Sequence, residues 1–465
     1  MEHFDSIIIG SGQAAPSLAV GLARRGQDVA LIEGNQLGGT CVNTGCTPTK
    51  TLRKSARVAH LMRRATDFGV HVGAVDVDFS AAMARMKERV TTSRTGLTSW
   101  LEGTEGVALL QGWGSLDGHD ATGRFVVAVG DRRFTAERVF LNTGTRAFAP
   151  PIPGLSEAPH LDNTSLLALD ERPDHLIVVG GSYIGLEMGQ IFRRLGSDVT
   201  IIHRAPLLAE REDPDVSRII GELLDEEGVT LQLDAVIDSV GRSMRGVLVT
   251  LADGSEISGS HLLLATGRTP NTDRLNLSSV GLDTDQQGYL PTDDLLRTAV
   301  PGIWALGDMN RRGAFTHTSY HDHEIVLASL DGMTSLHQWR GADQRPPTYA
   351  MFTDPPLGRV GISLSEAQAL VATGRNLLAA EMPMAQISRS KEEGETTGLI
   401  RLIVDAESET LIGATVFGIG GDEIIAVLSN FMATGASYRI MQQALPVHPT
   451  VAELLPTILA GLKPL

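Results

Sequence analysis

The two cysteines of this chain both lie in the segment GGTCVNTGCTPTK, and Gly45 is among the residues between them. Positions five apart on a regular helix are about 7.5 Å apart along its axis, whereas disulfide-bonded Cα atoms lie within about 7 Å. We therefore expect Cys41 and Cys46 to lie in a distorted loop, with a regular helix beginning at Pro48. A helix N-terminus and the positive charge of Lys50 would lower a thiol pKa and favour the reactive thiolate.

An adjacent cysteine pair in a reducing cytosol is more often catalytic or metal-binding than structural. A zinc centre needs four ligands, and this pair supplies two of them. His317, His321 and His323 have spacings that could suggest a metal site. We expect these histidines to belong to a helix instead, so the sequence predicts redox chemistry at the cysteines and no metal site.

Two stretches of the chain share one pattern, which is a strand, a glycine turn, a helix and a second strand. They are FDSIIIGSGQAAPSLAVGLARRGQDVALIEG and, later in the chain, DHLIVVGGSYIGLEMGQIFRRLGSDVTIIHR. Each pattern is typical of a βαβ unit in a parallel sheet. The sequence therefore predicts two nucleotide-binding domains.

The first unit has Gly10, Gly12 and Ala15 at the GxGxxG/A positions. Gly10 permits a tight turn, and Gly12 lets the backbone approach a pyrophosphate at the helix N-terminus, where free N–H groups attract anions. Glu33 ends the second strand, at the position where a carboxylate accepts hydrogen bonds from a ribose diol. This unit is predicted to bind a dinucleotide.

The second unit has Gly180 and Gly185 at the outer glycine positions but Ser182 at the middle one. The serine side chain must then fit against the phosphates. His203 and Arg204 follow the second strand, where the first unit has an acid. A guanidinium binds a 2′-phosphate that a carboxylate would repel, so this unit favours NADP over NAD.

Composition and charge exclude several classes of protein. The chain is 42% hydrophobic and 20% charged, with a formal net charge of -16 at pH 7. Such a charge argues against a nucleic-acid or anionic-lipid partner. No apolar run approaches the roughly 18 residues of a membrane span, and the start of the sequence does not resemble a signal peptide. We expect a cytoplasmic protein with no membrane or nucleic-acid partner.

Six segments together resemble the FAD-dependent pyridine nucleotide-disulfide oxidoreductases, the class that includes glutathione reductase, lipoamide dehydrogenase and mercuric reductase. They are GGTCVNTGCTPTK, VFLNTGTRAFAPPIPGL, VVGGSYIGLE, LLLATGRTPNT, GIWALGDM and LPVHPTVAELLP, in this order along the chain. Because they extend over nearly the whole sequence, the resemblance implies the family's complete fold. That fold is α/β, with two Rossmann-like dinucleotide-binding domains and a C-terminal α+β dimerisation domain.

The resemblance also implies boundaries and site residues. The implied segments are 1–150 for FAD binding, 151–272 for NAD(P) binding, 273–340 as a second FAD-domain segment and 341–465 as the interface domain, with a linker at 338–349. The implied flavin site consists of Gly10, Gly12, Ala15, Glu33, Gly39, Thr40, Lys50, Thr143, Gly144 and Asp308. The implied nicotinamide-nucleotide site consists of Gly180, Ser182, Tyr183, Ile184, Gly185, His203, Arg204 and Gly267.

By the same resemblance, Cys46 is the thiol that contacts the flavin and Cys41 is the thiol that attacks the substrate. Lys50 is expected beside the isoalloxazine ring, Glu187 between flavin and nicotinamide, and Tyr183 as a gate over the nicotinamide site. His448, oriented by Glu453, would act as acid and base for Cys41 across the interface of a homodimer. A carboxylate five residues from a histidine can select one tautomer for this proton transfer.

The predicted activity passes electrons from NADPH, with NADH as the alternative donor, through FAD and the Cys41/Cys46 disulfide to a small or protein-bound disulfide. A stress-linked reductase of a metal ion or an oxidant, an NAD-dependent dihydrolipoamide dehydrogenase and a redox sensor without turnover are the alternatives. Mercuric reductase and high-molecular-weight thioredoxin reductase each need a further cysteine pair, which the tail VAELLPTILAGLKPL lacks. The sequence favours a branch similar to mercuric reductase without its metal site, which includes flavoproteins of the reactive-chlorine response.

Overall fold

The computed structural model describes residues 1–244, 246–333 and 341–465. The first part of the chain forms a sheet whose central strand is buried on both faces, since Ile7 and Ile8 are 0% exposed. The elements of this part are β1 (Glu2–Ile9), α1 (Ala14–Ala23), β2 (Val29–Glu33), α2 (Gly39–Asn43), α3 (Cys46–Arg63), α4 (Phe79–Glu102), β3 (Val107–Gln111), β4 (Gly114–His119), β5 (Phe125–Val129), β6 (Arg132–Leu141) and β7 (Thr145–Ala147). The strand order is β3-β2-β1-β6-β5-β4, with β1 parallel to both neighbours.

The next part of the chain repeats the parallel pattern on a smaller scale. Its elements are α5 (Asn163–Leu166), β8 (His175–Val179), α6 (Tyr183–Leu195), β9 (Asp198–Ile202), α7 (Pro214–Glu226), β10 (Thr230–Gln232), β11 (Ile237–Ser243), β12 (Gly246–Leu251), β13 (Glu256–Gly259) and β14 (His261–Leu264). Strands β10-β9-β8-β14 form a parallel sheet, and β11-β12-β13 form an antiparallel one. The glycine turn after β8 therefore opens at the carboxyl edge of a parallel sheet, where nucleotides bind.

The chain then returns to the first sheet. Strand β15 (Arg268–Pro270) pairs antiparallel with β7, and β16 (Ile303–Ala305) pairs parallel with β6. Helix α8 (Thr316–Leu330) shares a hydrophobic core with α1, through Ile325 and Val326. Segment 273–340 thus adds a strand and a helix to the first domain, although its last residues, 334–340, lie outside the described ranges. The same is true of positions 338–340 of the predicted linker.

The last part of the chain is an antiparallel sheet with helices on it. Its elements are β17 (Thr348–Met351), β18 (Leu357–Gly361), α9 (Leu364–Ala372), β19 (Leu377–Pro383), α10 (Ser388–Glu392), β20 (Leu399–Asp405), β21 (Leu411–Phe417), α11 (Gly421–Ala433), α12 (Tyr438–Gln442), α13 (Leu455–Ala460) and β22 (Lys463–Pro464). The strand order is β17-β18-β21-β20-β19-β22. The predicted α/β class, with two parallel nucleotide-binding units and an α+β C-terminal part, is confirmed.

Three strongly exposed apolar side chains lie near the C-terminal end, before His448. Leu445 is 98% exposed, Val447 75% and Ile440 62%. Strongly exposed apolar side chains can mark an interaction site. In the ranges that the structure describes, no helix combines the length and the apolar character needed to cross a membrane.

Candidate active site

The cysteine segment folds as two helices with a break between them. Gly38 precedes α2 with a φ of 101°, and α2 closes with a 2.9 Å hydrogen bond from Thr44 N to Thr40 O. Gly45 lies outside the helical region, and a Cβ on it would lie 2.9 Å from Thr40 O. The break therefore depends on glycine at this position.

The predicted loop and helix start were wrong in detail. Cys41 lies within the short helix α2, and α3 begins at Cys46 instead of Pro48. Pro48 is compatible with this earlier start because its missing N–H falls in the first helical turn, where no intrahelical partner is available. The break at Gly45 brings the two sulfurs together, since a continuous helix would separate them.

The two cysteines are half-buried free thiols, and they differ electrostatically. The Cys41 thiol donates a hydrogen bond to Cys46, and this bond is the main reason that the pKa of Cys46 is lowered to about 6. The same bond raises the pKa of Cys41 above its ordinary value. The Thr316 hydroxyl, at the start of α8, lies 3.1 Å from Cys46 Sγ and further lowers the pKa of Cys46. Cys46 is therefore the thiolate of the pair near neutral pH.

Lys50, one turn after Cys46, connects the cysteine helix to the second nucleotide-binding unit. Its Nζ lies 2.9 Å from Glu187 Oε2 and 4.3 Å from the centre of the Phe352 ring. The other Glu187 oxygen accepts a 2.8 Å hydrogen bond from Phe352 N. The structure thus brings Cys46, Lys50 and Glu187 into one site, and it satisfies the buried Glu187 carboxylate from two directions.

The first glycine turn is shaped as a cradle for a ligand. Gly10 has a φ of +93°, and a Cβ on it would lie 2.4 Å from Asn142 O. A Cβ on Gly12 would lie 2.7 Å from Asn142 Oδ1, an atom that is buried and has no hydrogen-bond partner among the described residues. Helix α1 follows with Ala15 fully buried and no side-chain cap at its start. Backbone N–H groups at the uncapped start of α1 can donate hydrogen bonds to a pyrophosphate. The residues of this turn therefore fit a dinucleotide.

Glu33 lies at the end of β2 as predicted, and it also holds the turn. One of its oxygens accepts hydrogen bonds from Ser11 N at 3.0 Å and Ser11 Oγ at 2.6 Å, and the other accepts from Asn35 N at 2.7 Å. Ser11 Oγ in turn accepts from Gly38 N at 3.0 Å. Gly39 completes the contact, because a Cβ on it would lie 2.9 Å from Gly12 Cα. The first turn and the cysteine segment are therefore packed as one unit.

The remaining predicted flavin-contact residues include Thr143, Gly144 and Asp308, which lie on segments joined by hydrogen bonds. Thr143 Oγ1 donates to Asn271 O at 2.8 Å, and Gly144 O accepts from Asn271 N at 3.0 Å. The Thr145 hydroxyl donates to Asp308 Oδ2 at 3.2 Å, and burial raises the pKa of the Asp308 carboxyl. Thr40 is exposed beside the cysteines.

The second glycine turn is tight but less enclosed. Gly180 has a φ of +115°, and a Cβ on Gly185 would lie 2.0 Å from Gly180 O, which explains the glycine at the third position. Ser182 is exposed and its side chain does not cap α6, while Ile184 is half-buried in the first turn of that helix. The N-terminus of α6 is therefore accessible to a pyrophosphate. Gly267, with a φ of +128°, accepts a hydrogen bond from Phe148 N at 3.0 Å.

His203 and Arg204 are neighbours in sequence, but one is buried and the other is exposed. His203 is buried, and its Nδ1 accepts a 3.2 Å hydrogen bond from Gly181 N, so it supports the turn from below. Burial lowers the pKa of His203 and keeps the ring neutral. Arg204 is exposed at the end of β9. Of these two residues, Arg204 is the one whose charge is available to a ligand.

Tyr183 begins α6, and its hydroxyl donates a 3.0 Å hydrogen bond to Glu212 Oε1. Its ring lies 5.5 Å from the ring of Tyr349 and 6.2 Å from that of Phe315. Phe315 immediately precedes Thr316, the hydrogen-bond partner of Cys46. Tyr183 is thus connected to Cys46 through Phe315 and Thr316.

His448 and Glu453 are paired within the subunit. Nδ1 of His448 lies 2.9 Å from Glu453 Oε2, and the histidine side chain is 78% exposed. Among the described residues of one subunit, no hydrogen bond or ion pair joins His448 to either cysteine. The histidine is therefore oriented and accessible, but one subunit does not bring it to the thiols.

The three clustered histidines lie on α8, as expected from the sequence. Their neighbour Asp322 accepts a 2.7 Å hydrogen bond from Gly307 N, next to Asp308. His317 pairs with Thr348 O at 2.6 Å. Within the described part of the chain, no group of three metal-binding side chains occurs.

Two family models match the chain. The model described as pyridine nucleotide-disulphide oxidoreductase matches residues 4–322, and the dimerisation-domain model of the same name matches residues 348–458. The chain belongs to the pyridine nucleotide-disulphide oxidoreductase family. The predicted family, the oxidoreductase class and the use of FAD with a nicotinamide nucleotide are confirmed by this membership.

Three relatives of the family are similar over most of their length. The probable pyridine nucleotide-disulfide oxidoreductase RclA of Escherichia coli is 32% identical, over 100% of both chains. A mercuric reductase of Bacillus cereus is 32% identical, over 97% of this chain and 70% of its own. A dihydrolipoyl dehydrogenase of Halobacterium salinarum is 30% identical, over 97% of this chain and 94% of its own.

Solved structures of RclA have the same fold as this family member. The HOCl-induced flavoprotein disulfide reductase RclA superposes with a TM-score of 0.88 at 31% identity, over 98% of this chain and 99% of that one. A Cu(II) complex of RclA matches equally well, with a TM-score of 0.88.

Several residues of the site were missed by the sequence reasoning. Ser11, Thr316 and Glu212 each contact a predicted site residue, but none of them was assigned a role from the sequence. Ser11 could have been found, because it lies between the two glycines of the first turn. Thr316 and Glu212 are distant in sequence from their partners, so only the fold shows their roles.

Proposed function

We propose that this chain is an NADPH-dependent reductase of a small or protein-bound disulfide, and that it acts as a cytoplasmic homodimer. The observation that carries the proposal is the asymmetry of the two thiols. Cys41 donates a hydrogen bond to Cys46, whose pKa is lowered to about 6 at the head of α3. Such a pair has one sulfur suited to holding negative charge and another suited to exchange with a substrate.

The exchange chemistry follows from the two thiols. The Cys41 thiol loses its proton, and its sulfur attacks one sulfur of the substrate disulfide, so that the other substrate thiol leaves. The Cys46 thiolate then attacks Cys41 and releases the second substrate thiol. The substrate gains two electrons and two protons, one proton from Cys41 and one from solvent by way of His448, and Cys41 and Cys46 become a disulfide.

FAD, when bound, supplies the two-electron transfer from NADPH that restores the dithiol. Gly10, Gly12 and the start of α1 would hold its pyrophosphate, because a helix N-terminus favours an anion. Lys50 and Glu187 neutralise each other at 2.9 Å, which keeps an isolated charge away from Cys46. Tyr183 would cover the nicotinamide side of the site.

The proton transfers are assigned to His448 of the partner subunit. The Glu453 carboxylate at 2.9 Å fixes the proton of His448 on Nδ1, which leaves Nε2 to exchange a proton with Cys41 and the leaving thiol. The exposure of His448 and of the apolar residues before it supports a subunit interface at this end of the dimerisation domain. A homodimer is thereby needed for a complete site.

The preference for NADPH rests on Arg204. An exposed guanidinium at the end of β9 can bind a 2′-phosphate in a bidentate manner, and the first unit has Glu33 at the corresponding position. An NAD-dependent dihydrolipoamide dehydrogenase is disfavoured for this reason.

The direct test is an assay panel with NADPH and NADH against glutathione disulfide, lipoamide, cystine and a mycothiol-type disulfide. The His448→Ala variant should lose at least about 100-fold in turnover of the preferred disulfide, the usual size of a lost general acid and base. His71→Ala, which changes an exposed histidine, is the matched control. A failure of NADPH to bleach the flavin would refute the proposal.

A second candidate is reduction of Cu(II), which the Cu(II) complex of the similar RclA favours. In this reaction two Cu(II) ions each accept one electron, while Cys41 loses its proton and the Cys41 thiol and Cys46 thiolate become a disulfide. No leaving thiol has to be protonated. His448→Ala should therefore change Cu(II) reduction by less than about threefold while disulfide turnover collapses. Equal losses for both acceptors would count against the disulfide as the preferred substrate.

A further inference from the structure

A buried carboxylate lies where the second nucleotide-binding unit meets the dimerisation domain. Glu212 lies between β9 and α7, and its side chain is 0% exposed. Its Oε2 accepts two hydrogen bonds from Arg359 of β18, from Nε at 2.9 Å and from Nη2 at 2.6 Å. The bidentate pair fixes the carboxylate plane and compensates its charge.

The other oxygen of this carboxylate is shared by two tyrosines. Glu212 Oε1 accepts a 3.0 Å hydrogen bond from the Tyr183 hydroxyl and a 2.9 Å hydrogen bond from the Tyr349 hydroxyl. Burial, followed by the Glu212 charge, raises the pKa of both hydroxyls, so both remain protonated donors. One oxygen therefore has two donors where one would satisfy it.

The backbone fixes Glu212 relative to the glycine turn. Ala209, with a φ of 50°, donates a 2.7 Å hydrogen bond to Gly181 O, and Glu212 N donates to Ala209 O at 2.7 Å. The carboxylate consequently has a fixed position with respect to the turn from which Tyr183 extends.

The Tyr183 ring is half-buried and lies against two other aromatic rings. Its contacts with Tyr349 and Phe315 are tilted, at interplanar angles of 38° and 35°. Phe315 and Tyr349 stack on each other at 11°, with ring centres 5.4 Å apart, without involving Tyr183. The ring of Tyr183 can thus leave while the Phe315 and Tyr349 stack stays intact.

We propose that Glu212 is a positioning residue that holds Tyr183 over the nicotinamide site by its hydroxyl, and that Tyr349 keeps Glu212 hydrogen-bonded when Tyr183 rotates away. We call this arrangement the Glu212 latch, consisting of Glu212, Arg359 and the hydroxyls of Tyr183 and Tyr349. The inference rests on the proposed function, because that proposal assigns Tyr183 to the nicotinamide site.

Tyr349 lowers the free-energy cost of rotating Tyr183 away from Glu212. Without Tyr349, rotation of Tyr183 would leave a buried carboxylate oxygen with no donor from the latch, and uncompensated buried acceptors are costly. With Tyr349 present, opening breaks one hydrogen bond to a charged acceptor and leaves another in place. Tyr183 and Tyr349 should therefore have opposite effects on nucleotide binding.

The test compares ligands with and without the nicotinamide ring. Titration calorimetry on the oxidised holoenzyme gives dissociation constants for NADP⁺ and for 2′-phospho-ADP-ribose, and for NAD⁺ and ADP-ribose. The variants are Tyr183→Phe, Tyr349→Phe and the double variant. Tyr320→Phe, which changes a 43% exposed tyrosine of α8, is the matched control. Each variant keeps its ring, so packing is preserved.

Tyr183→Phe should bind NADP⁺ or NAD⁺ about five- to tenfold more tightly, because the ring is released from Glu212. Tyr349→Phe should bind them about threefold to tenfold more weakly, and this effect should vanish in the Tyr183→Phe background. The ring-free ligands should bind unchanged in every variant. In steady state the changes should appear in the KM for the nicotinamide nucleotide, with the KM for the acceptor unaltered.

The proposal is overturned if Tyr183→Phe and Tyr349→Phe leave unchanged the ratio of the dissociation constants for NADP⁺ and 2′-phospho-ADP-ribose. It is overturned as well if both variants shift this ratio in the same direction. The latch is also overturned if Tyr349→Phe acts equally in both backgrounds. A failure of the proposed function looks different, since NADPH would then not reduce the flavin of the unmodified protein. Glu212→Gln, which keeps an acceptor oxygen but loses the charge, should reproduce part of the Tyr183→Phe effect.

Discussion

The two nucleotide-binding units have the same topology and opposite surroundings. The turn after β1 is joined to the cysteine segment by the hydrogen bonds from Ser11 to Glu33 and from Gly38 to Ser11. The turn after β8 has an exposed Ser182 and an exposed Arg204. Enclosure suits a cofactor that stays bound, while exposure suits a substrate nucleotide that enters and leaves. The difference lies in what packs on each turn, since the βαβ frame is common to both.

The largest effect should come from exchanging the glycine that opens each turn. Gly10→Ala introduces a Cβ 2.4 Å from Asn142 O at a φ of +93°. We expect a loss of FAD and about 3 kcal/mol of stability. Gly180→Ala, with a Cβ 2.3 Å from Ala265 O, should keep the flavin and lose NADP⁺ binding. Flavin absorbance per protein and calorimetry measure both; equal flavin loss would contradict the comparison.

The next effect concerns the residue that ends the second strand of each unit. Arg204→Ala should weaken NADP⁺ binding about tenfold to thirtyfold, the loss of charge-assisted hydrogen bonds to a phosphate, and leave NAD⁺ binding within twofold. Arg218→Ala, an exposed arginine of α7, is the control. Wild-type protein that binds NAD⁺ more tightly than NADP⁺ would contradict the assignment.

The first domain differs from the second in having a thiolate, Cys46, at the N-terminus of one of its helices, α3. The pKa of Cys46 is lowered to about 6, chiefly by the hydrogen bond from Cys41. Below this pKa the sulfur is protonated and alkylation stops. Cys41→Ala removes the donor, so the pH at which iodoacetamide alkylation falls should move up by about one unit. Cys41→Ser keeps a donor and should show a smaller shift; identical profiles would show that the helix start dominates.

The smallest effect should separate the two serines of the turns. Ser11→Ala removes hydrogen bonds to Glu33 and from Gly38, which should lower the free energy of unfolding by about 1 kcal/mol. Ser182→Ala changes an exposed side chain that caps nothing, and it should cost less than about 0.5 kcal/mol. Thermal unfolding of both variants measures these losses in free energy of unfolding. Equal losses would contradict the distinction between an enclosed and an open turn.

Much of this site could be predicted from short stretches of sequence. A Cβ at Gly10, Gly180 or Gly185 would collide with backbone, and one at Gly12 would collide with the Asn142 side chain, so the glycine pattern identifies both turns. The start of α3 was misplaced by two residues, because Cys46 and Thr47 have no strong start signal before Pro48. His203 was predicted as a contact of the nicotinamide nucleotide, yet it packs under the turn, because an imidazole can accept a hydrogen bond from Gly181 N from inside.

The sequence by itself determined the family, the α/β class and the identity of the redox pair, because turns, helix starts and cysteine spacing are local properties of the chain. Only the tertiary structure decided which thiol bears the charge and what holds Tyr183. Those outcomes depend on contacts of Cys46 with Thr316 and of Glu212 with Tyr349 and Arg359, between residues far apart in the chain. Electrostatics and hydrogen bonding act through space, so no local pattern contains them.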